Sequence, residues 1–234
     1  RALIEFAASR CDTLTVLVGA LKHEPIPGLL RKQWLKEAFQ NHSQIMIDYT
    51  DEDLPTAAES SREVSKVWAK FLKARYPEVS VIFSSEPYGG YLAEYMGIIH
   101  ESFDPDRTLK PVSATQIRQN PRRYWQEILE TARPYFLKKI CIFGPESTGK
   151  SVLTERLARE FETVFVPEKA REMIGEGPVT PEQFPAFLEA QAKAVIEAQK
   201  CARRFLFCDT DHLTTLIYGR EFFGLNLEIP AWIE

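Results

Sequence analysis

Short runs dominated by apolar residues recur along the chain at Leu14 to Val18, Ile45 to Tyr49, Val79 to Phe83, 139 to 143, Thr163 to Val166 and Phe205 to Cys208. Apolar stretches of this length, bounded by polar or Gly/Pro-containing segments, predict strands buried in parallel sheets. Between them the apolar spacing becomes helical. Leu30, Trp34 and Ala38 form one stripe within Leu29 to Phe39; Val64, Val67, Trp68, Phe71 and Leu72 form another within Glu63 to Ala74. Further helices are predicted over 122 to 133, with Tyr124, Trp125, Ile128 and Leu129 on one side and Pro134 as breaker, after Ser151, and over Pro181 to Cys201. Ile98 and Ile99 suggest one more short strand. Strands alternating with helices argue for doubly wound α/β sheets. Residues 1 to 11 carry Leu3, Ile4, Ala7 and Ala8 at helical spacing and run directly into the first strand. So abrupt an opening leads us to expect a strand and loop ahead of residue 1.

Composition narrows the class. The 234 residues are 44% hydrophobic, enough for one or two cores at about 100–200 residues per domain. The four cysteines, at 11, 141, 201 and 208, form no CxxC pair and have no histidine at metal-ligand spacing, which points to reduced thiols and a cytoplasmic protein. No apolar run approaches the ~20 residues of a membrane span. Net charge is −4, and neither side of residue 136 carries a basic excess, which argues against nucleic-acid binding through the residues shown.

Chemistry concentrates at GPESTGKS, Gly144 to Ser151, directly after the apolar run Ile140 to Phe143. Two glycines bracketing four residues, then Lys and Ser, make a phosphate-binding loop. Gly144 and Gly149 permit backbone conformations that turn successive N–H groups, including those of Ser147 and Thr148, toward phosphate oxygens. Lys150 reaches the β- and γ-phosphates of ATP, Ser151 is a Mg²⁺ ligand, and the following helix offers its positive end to the anion. The apolar run at Phe205 to Cys208 ends in Asp209, which is either a second Mg²⁺ ligand or a helix N-cap. Glu168 and Arg171, past the strand at Thr163 to Val166, are either an acceptor-binding pair or a solvated ion pair.

A second group lies upstream. SSEPYGGYLAEYMG, Ser84 to Gly97, follows a strand end, where ligands bind in open α/β sheets. There Tyr88 or Tyr91 offers a ring for stacking, and Gly89 and Gly90 allow close backbone approach, unless the segment is an ordinary turn with its tyrosines in the core. In PVSATQIRQNP, Pro111 to Pro121, Ser113 is a good N-cap and brings Thr115 and Arg118 into the first turns of a short helix, either as an anion site or as a plain capped helix.

These segments together resemble the bifunctional NadR family, nicotinamide-nucleotide adenylyltransferase joined to ribosylnicotinamide kinase. EPIPGLLRKQWL at 24 to 35, the Ser84, Asp104 to Pro121 and Gly144 segments, VPEKARE at 166 to 172 and FCDTDHLTT at 207 to 215 carry the resemblance in family order. It implies two doubly wound parallel-sheet domains: residues 1–136 an HxGH-class, Rossmann-like nucleotidyltransferase, and residues 137–234 a P-loop nucleoside kinase. The implied reactions are phosphorylation of nicotinamide riboside by ATP and Mg²⁺, then adenylyl transfer to nicotinamide mononucleotide, giving NAD and pyrophosphate. An NAD- or ATP-sensing regulator that binds without turnover is the alternative.

The implied site residues are Lys150, Asp209, Glu168 and Arg118 for catalysis and Ser113, Thr115 and Arg118 for the triphosphate. Glu168, Arg171, Asp211, Trp34, Tyr88 and Gly89 fall to the substrates, with Glu168 or Asp211 orienting the acceptor hydroxyl, while the place of Trp34 on an apolar helix stripe favours core packing for that residue. The implied partners are these small molecules, and a homo-oligomer is compatible with the pattern. No HxGH occurs in the sequence, so the polypeptide as given is expected to start beyond that loop and to have little adenylyltransferase activity. The kinase half is expected to stop short of its last strands, and Lys169 stands where an aromatic neighbour of Glu168 is expected.

Overall fold

The computed structural model describes residues 1–21, 24–55, 61–174 and 178–230. The acidic loop expected over 50–61 therefore lies partly outside the described residues. Two compact units emerge, Arg1–Gln119 and Asn120–Glu234.

In the first unit the order is α1 (Ala2–Ala8), β1 (Leu14–Gly19), α2 (Gly28–Ala38), β2 (Ile45–Thr50), α3 (Arg62–Arg75), β3 (Val81–Ser84), α4 (Tyr88–Met96), β4 (Ile99–Ser102) and α5 (Ala114–Gln119). All pairing is parallel, but it falls into two two-stranded ladders. Leu14 to Gly19 align with Ile45 to Thr50, and Val81 to Ser84 with Ile99 to Ser102. The single doubly wound sheet expected from the strand–helix alternation is thus present as two halves among the described residues.

Local chemistry explains the helices. Ser61 accepts from Val64 N–H at 3.1 Å and caps α3. Gly97, at φ +73°, ends α4 by donating its N–H to the Ala93 carbonyl at 2.8 Å, a left-handed turn that a β-carbon would disfavour. The apolar faces of these two helices meet through Trp68, Ala69, Leu72, Leu92 and Met96, over Ile82 of β3. On α2, Trp34 is half-buried within the predicted stripe.

In the second unit the segment read as one helix over 122–133 is instead two 3₁₀ turns, Trp125–Glu127 and Glu130–Ala132. A helix, α6 (Arg133–Phe136), then begins where a break was expected. Proline in a first turn loses no hydrogen bond, so Pro134 starts this helix rather than ending one. Trp125 is buried, and the stretch 120–136 clusters with the second unit. There follow β5 (Lys138–Ile142), α7 (Lys150–Glu160), β6 (Phe165–Val166), α8 (Lys169–Met173), α9 (Phe184–Cys201), β7 (Phe205–Asp209) and α10 (His212–Phe223). A 3₁₀ turn, Pro181–Gln183, precedes α9, where one continuous helix was read from Pro181. The strands form a parallel sheet in the order β5-β7-β6. Its core joins Val166, Val195, Ala202, Leu206 and Cys208.

One polar network pins α3 to β2. Asp48 accepts from the Tyr76 hydroxyl at 2.6 Å and from Arg75 Nε and Nη2 at 3.0 and 2.8 Å. The tyrosine hydrogen bond, with further help from the Tyr49 N–H and Arg75, outweighs burial and holds the carboxyl at about 2, below its ordinary 3.8. A depressed carboxyl stabilises the fold above its unfolded value and loses that contribution as pH falls toward 2. Asp48→Asn should therefore lower stability by about 1 kcal/mol at neutral pH, the scale of a partly exposed charged hydrogen bond. Melting curves between pH 4 and 2 should fall less steeply than in the parent chain.

Candidate functional site

The phosphate loop follows directly from the sheet. β5 and β7 lie side by side in register, with Ile142 opposite Asp209, so the loop leaving β5 and the aspartate ending β7 share one carboxyl edge. Ser147 at φ +59° and Gly149 at φ +83° set the turn, and Gly149 is the N-cap of α7. The loop is closed on itself. Lys150 Nζ and Thr148 Oγ1 both donate to the Pro145 carbonyl at 2.7 Å. Below it, the fully buried Thr154 hydroxyl donates to the Lys150 carbonyl at 2.8 Å and holds the first turn of α7.

Asp209 is 2% exposed, and its Oδ1 has no hydrogen-bond partner. An orphaned carboxylate oxygen at a buried position is costly unless a cation or water completes it. Ser151 lies in the first turn of α7, which packs against β7, and its hydroxyl and the Asp209 carboxylate are donor types that suit a hard cation such as Mg²⁺. No group of three His, Cys, Asp or Glu side chains that could hold a metal occurs among the described residues, so phosphate and water would complete the shell. The two readings left open for the aspartates separate here. Asp211 is the cap of α10, accepting from Thr214 N and Oγ1 at 2.9 and 3.0 Å, while Asp209 caps nothing. Burial, with Asp211 beside it, pushes the Cys141 thiol up to about 11, so this cysteine is no nucleophile at neutral pH.

Glu168 and Arg171 join the loop. Arg171 Nη2 donates to Glu168 at 2.8 Å and Nη1 to Ser151 Oγ at 3.1 Å, so they form a pair in contact with the phosphate loop. A residue not singled out from the sequence sets this arrangement. Gln191, 2% exposed on α9, accepts from Lys169 N–H at 2.8 Å and donates to the Thr210 carbonyl at 3.4 Å. It ties the start of α8 to the end of β7. An uncharged polar residue inside the apolar stripe of a long helix was the available signal.

In the first unit Ser113 and Gln116 form a reciprocal cap, with Gln116 N–H to Ser113 Oγ at 3.2 Å and Ser113 N–H to Gln116 Oε1 at 2.7 Å. Arg118 donates to Thr115 Oγ1 at 3.2 Å, so Ser113, Thr115 and Arg118 share one exposed short helix. Tyr88 opens α4, half-exposed. Gly89 is needed for packing: a β-carbon there would lie 2.0 Å from Ser84 Oγ and 2.8 Å from His100 Nε2. Those two side chains are themselves hydrogen-bonded at 3.0 Å.

A parallel sheet, a glycine-bounded loop and a following helix define a P-loop nucleotide-binding unit. In agreement, residues 139–232 match a family model described as an AAA domain. Over 95% of its length the chain is 29% identical to the "Trifunctional NAD biosynthesis/regulator protein NadR" of Escherichia coli K12, and equally to its counterpart in Salmonella typhimurium LT2. It spans 59% of the length of these curated relatives. Two solved structures align with 94% of the chain at 25% identity. They are NadR protein in complex with NAD and AMP-PNP, TM-score 0.77 over 68% of that chain, and NadR protein in complex with NR, TM-score 0.75 over 65%. The resemblance to the NadR family therefore holds across nearly the whole chain, in sequence and in fold.

Gln191→Leu should cost about 1–3 kcal/mol by leaving the Lys169 N–H unpaired. It should also weaken nucleotide binding at the second unit, read by titration with a fluorescent ATP analogue. A variant as stable and as tight-binding as the parent would remove Gln191 from the site's scaffold.

Proposed function

We propose that the chain is a transferase of NAD biosynthesis and salvage with two ATP-using units. The second would phosphorylate nicotinamide riboside to nicotinamide mononucleotide, and the first would transfer an adenylyl group from ATP to that mononucleotide, releasing pyrophosphate. The observation that carries the reading is the phosphate loop beside the orphaned Asp209 carboxylate, at one edge of the β5-β7 pair. The NAD, AMP-PNP and NR bound to relatives of the same fold support the choice of substrates.

In the second unit, arriving phosphates replace the Pro145 carbonyl as the partner of Lys150, and the loop N–H groups take the β-phosphate oxygens. Ser151 and Asp209 would hold Mg²⁺, which would supply charge neutralisation to the phosphates of bound ATP. Glu168 is better placed than Asp211 to orient the riboside hydroxyl, because Asp211 Oδ1 is engaged at the cap of α10. Arg171 leaves Ser151 and turns to phosphate. In the first unit Ser113, Thr115 and Arg118 grip the triphosphate, Trp34, Tyr88 and Gly89 belong to the nucleotide-binding region, and catalysis is positioning plus charge stabilisation. The protein works in the cytoplasm.

A second reading rests on the regulator role in the relatives' names: a sensor that binds NAD or ATP without turnover. One assay separates them. The full-length protein is given nicotinamide riboside and Mg·ATP, and mononucleotide and NAD are followed over time. Neither product forming while ATP still binds would leave the sensor. Lys150→Ala should lower the riboside step by about 10²–10³, the usual cost of removing one transition-state charge contact, and spare conversion of the mononucleotide. Arg118→Ala should do the reverse. Asp209→Asn should raise the Mg²⁺ concentration needed for half-maximal phosphorylation at least about tenfold, the scale of one lost charged ligand.

A further inference from the structure

A cavity of about 430 Å³ opens in the second unit, away from the phosphate loop. Lys200, Cys201 and Arg203 line it from the end of α9 and the turn into β7, and Trp125, Glu130 and Arg133 line it from the 3₁₀ turns and α6. These residues precede β5 and β7, so the cavity sits at the amino edge of the sheet, whereas the phosphate loop and Asp209 occupy the carboxyl edge. Strands of five residues keep the two apart by roughly 16 Å, at about 3.3 Å per residue. The volume falls within the range of about 300–1,000 Å³ usual for small-ligand sites.

Two arginines on the lining have hydrogen bonds unmade. Arg133 is 24% exposed, its Nε is buried without an acceptor, and Nη1 stands 3.6 Å from the Glu130 carboxylate. Arg203 Nη1 lies 3.8 Å from Glu162. Both separations exceed a hydrogen bond. Other arginines of the described residues close on their carboxylates: Arg62 on Glu94 at 2.9 Å, Arg75 on Asp48 and Arg171 on Glu168 at 2.8 Å. A guanidinium presents its donors as a planar fork, so an open one beside a cavity is suited to take an oxyanion through two parallel hydrogen bonds.

The turn that carries Arg203 is rigidly built. Arg203 N–H donates to Thr163 Oγ1 at 2.9 Å, and that hydroxyl donates to the Phe205 carbonyl at 2.7 Å. Between them Arg204 holds φ +64°, a left-handed conformation that costs a non-glycine residue about 1–2 kcal/mol. Its carbonyl accepts from Lys138 N–H at 3.0 Å, which fixes the turn to the start of β5. Strain of this kind persists where surrounding contacts over-determine it, and it gathers at ligand clamps.

A cation at the end of a helix can instead serve the helix itself. Lys200 already occupies the last turn of α9, and the Ala202 N–H closes on the Ala198 carbonyl. Arg133 Nε finds no acceptor there, so capping leaves it unexplained. The lining also indicates the kind of anion. Trp125 is 2% exposed and offers no ring on which a nucleobase could stack. Recognition rests on charge, with Arg133, Lys200 and Arg203 against Glu130.

We propose that this cavity is a second oxyanion site, which takes a compact phosphate-type anion, inorganic phosphate or pyrophosphate, on the Arg133 and Arg203 forks. Lys200 adds charge, and Glu130, exposed at 78%, is displaced outward. The anion supplies the acceptors that both forks lack, and it binds independently of a nucleotide at the phosphate loop.

The test is titration calorimetry with pyrophosphate, without Mg²⁺, on the full-length protein carrying Lys150→Ala, which weakens binding at the phosphate loop and leaves the cavity intact. Pyrophosphate should bind, inorganic phosphate should compete with it, and potassium chloride at matched ionic strength should not. Adding Arg203→Gln should raise the Kd at least about tenfold, the scale of one lost charged contact. Adding Lys193→Gln instead, the same change of charge at an exposed position of α9, should leave the Kd unchanged. Alkylation of Cys201 by N-ethylmaleimide, mapped by mass spectrometry, should slow with pyrophosphate bound, while Cys11 of the first unit reacts as before. Arg203 is half-exposed, so its substitution spares the fold, which an unchanged melting temperature checks. Absence of binding, a Kd indifferent to Arg203→Gln or equally raised by Lys193→Gln, or an unchanged Cys201 rate would each overturn the proposal.

Discussion

The second unit depends on one pairing, the parallel register of Lys138–Ile142 with Phe205–Asp209. These strands are separated by more than sixty residues of chain, yet one register decides the site. It sets Asp209 level with Ile142, the last residue of β5, at the edge from which the phosphate loop leaves. A slip by one residue would turn the side chains of a strand to the opposite faces. The buried Leu206 and Cys208, packed with Val166 and Val195, oppose such a slip because it would cost most of that core.

Around that edge, polar groups are either satisfied within the fold or left for a ligand. Asp211 is consumed by the start of α10, and Gln191 spends its amide on Lys169 and Thr210. Lys150 and Arg171 have partners that are exposed or exchangeable, a loop carbonyl and a serine hydroxyl. Asp209 alone among these carries a buried oxygen with no donor. The contrast matters because a fully satisfied group gains little by meeting phosphate or metal, whereas an orphaned one recovers a desolvation cost.

Much of this was legible in the residues. The phosphate loop, the Ser113 cap, the strands and the parallel α/β class rest on spacing and local preference, and these act within one turn or one strand. The misread elements are those in which a single residue has two meanings. Pro134 reads as a helix breaker or as a helix start, and the choice depends on whether Trp125 and Ala132 are buried in 3₁₀ turns against the second unit. A glycine can also carry two meanings at once: Gly89 reads as room for a ligand, and its neighbours Ser84 and His100 leave no space for a β-carbon there either.

What the sequence determined alone was thus the chemistry on offer: a loop built for phosphate, two aspartates at a strand end, a glutamate–arginine pair, and elements of parallel type. Only the tertiary structure decided which aspartate caps a helix and which is left bare, that Arg171 touches Ser151, and that Gln191 ties α8 to β7. It also decided that β1 pairs with β2 and β3 with β4. The physical reason is range. Capping and turn chemistry are set by neighbours in the chain, but satisfaction of a buried polar group is set by whatever residue, however distant in sequence, packing brings within hydrogen-bond distance.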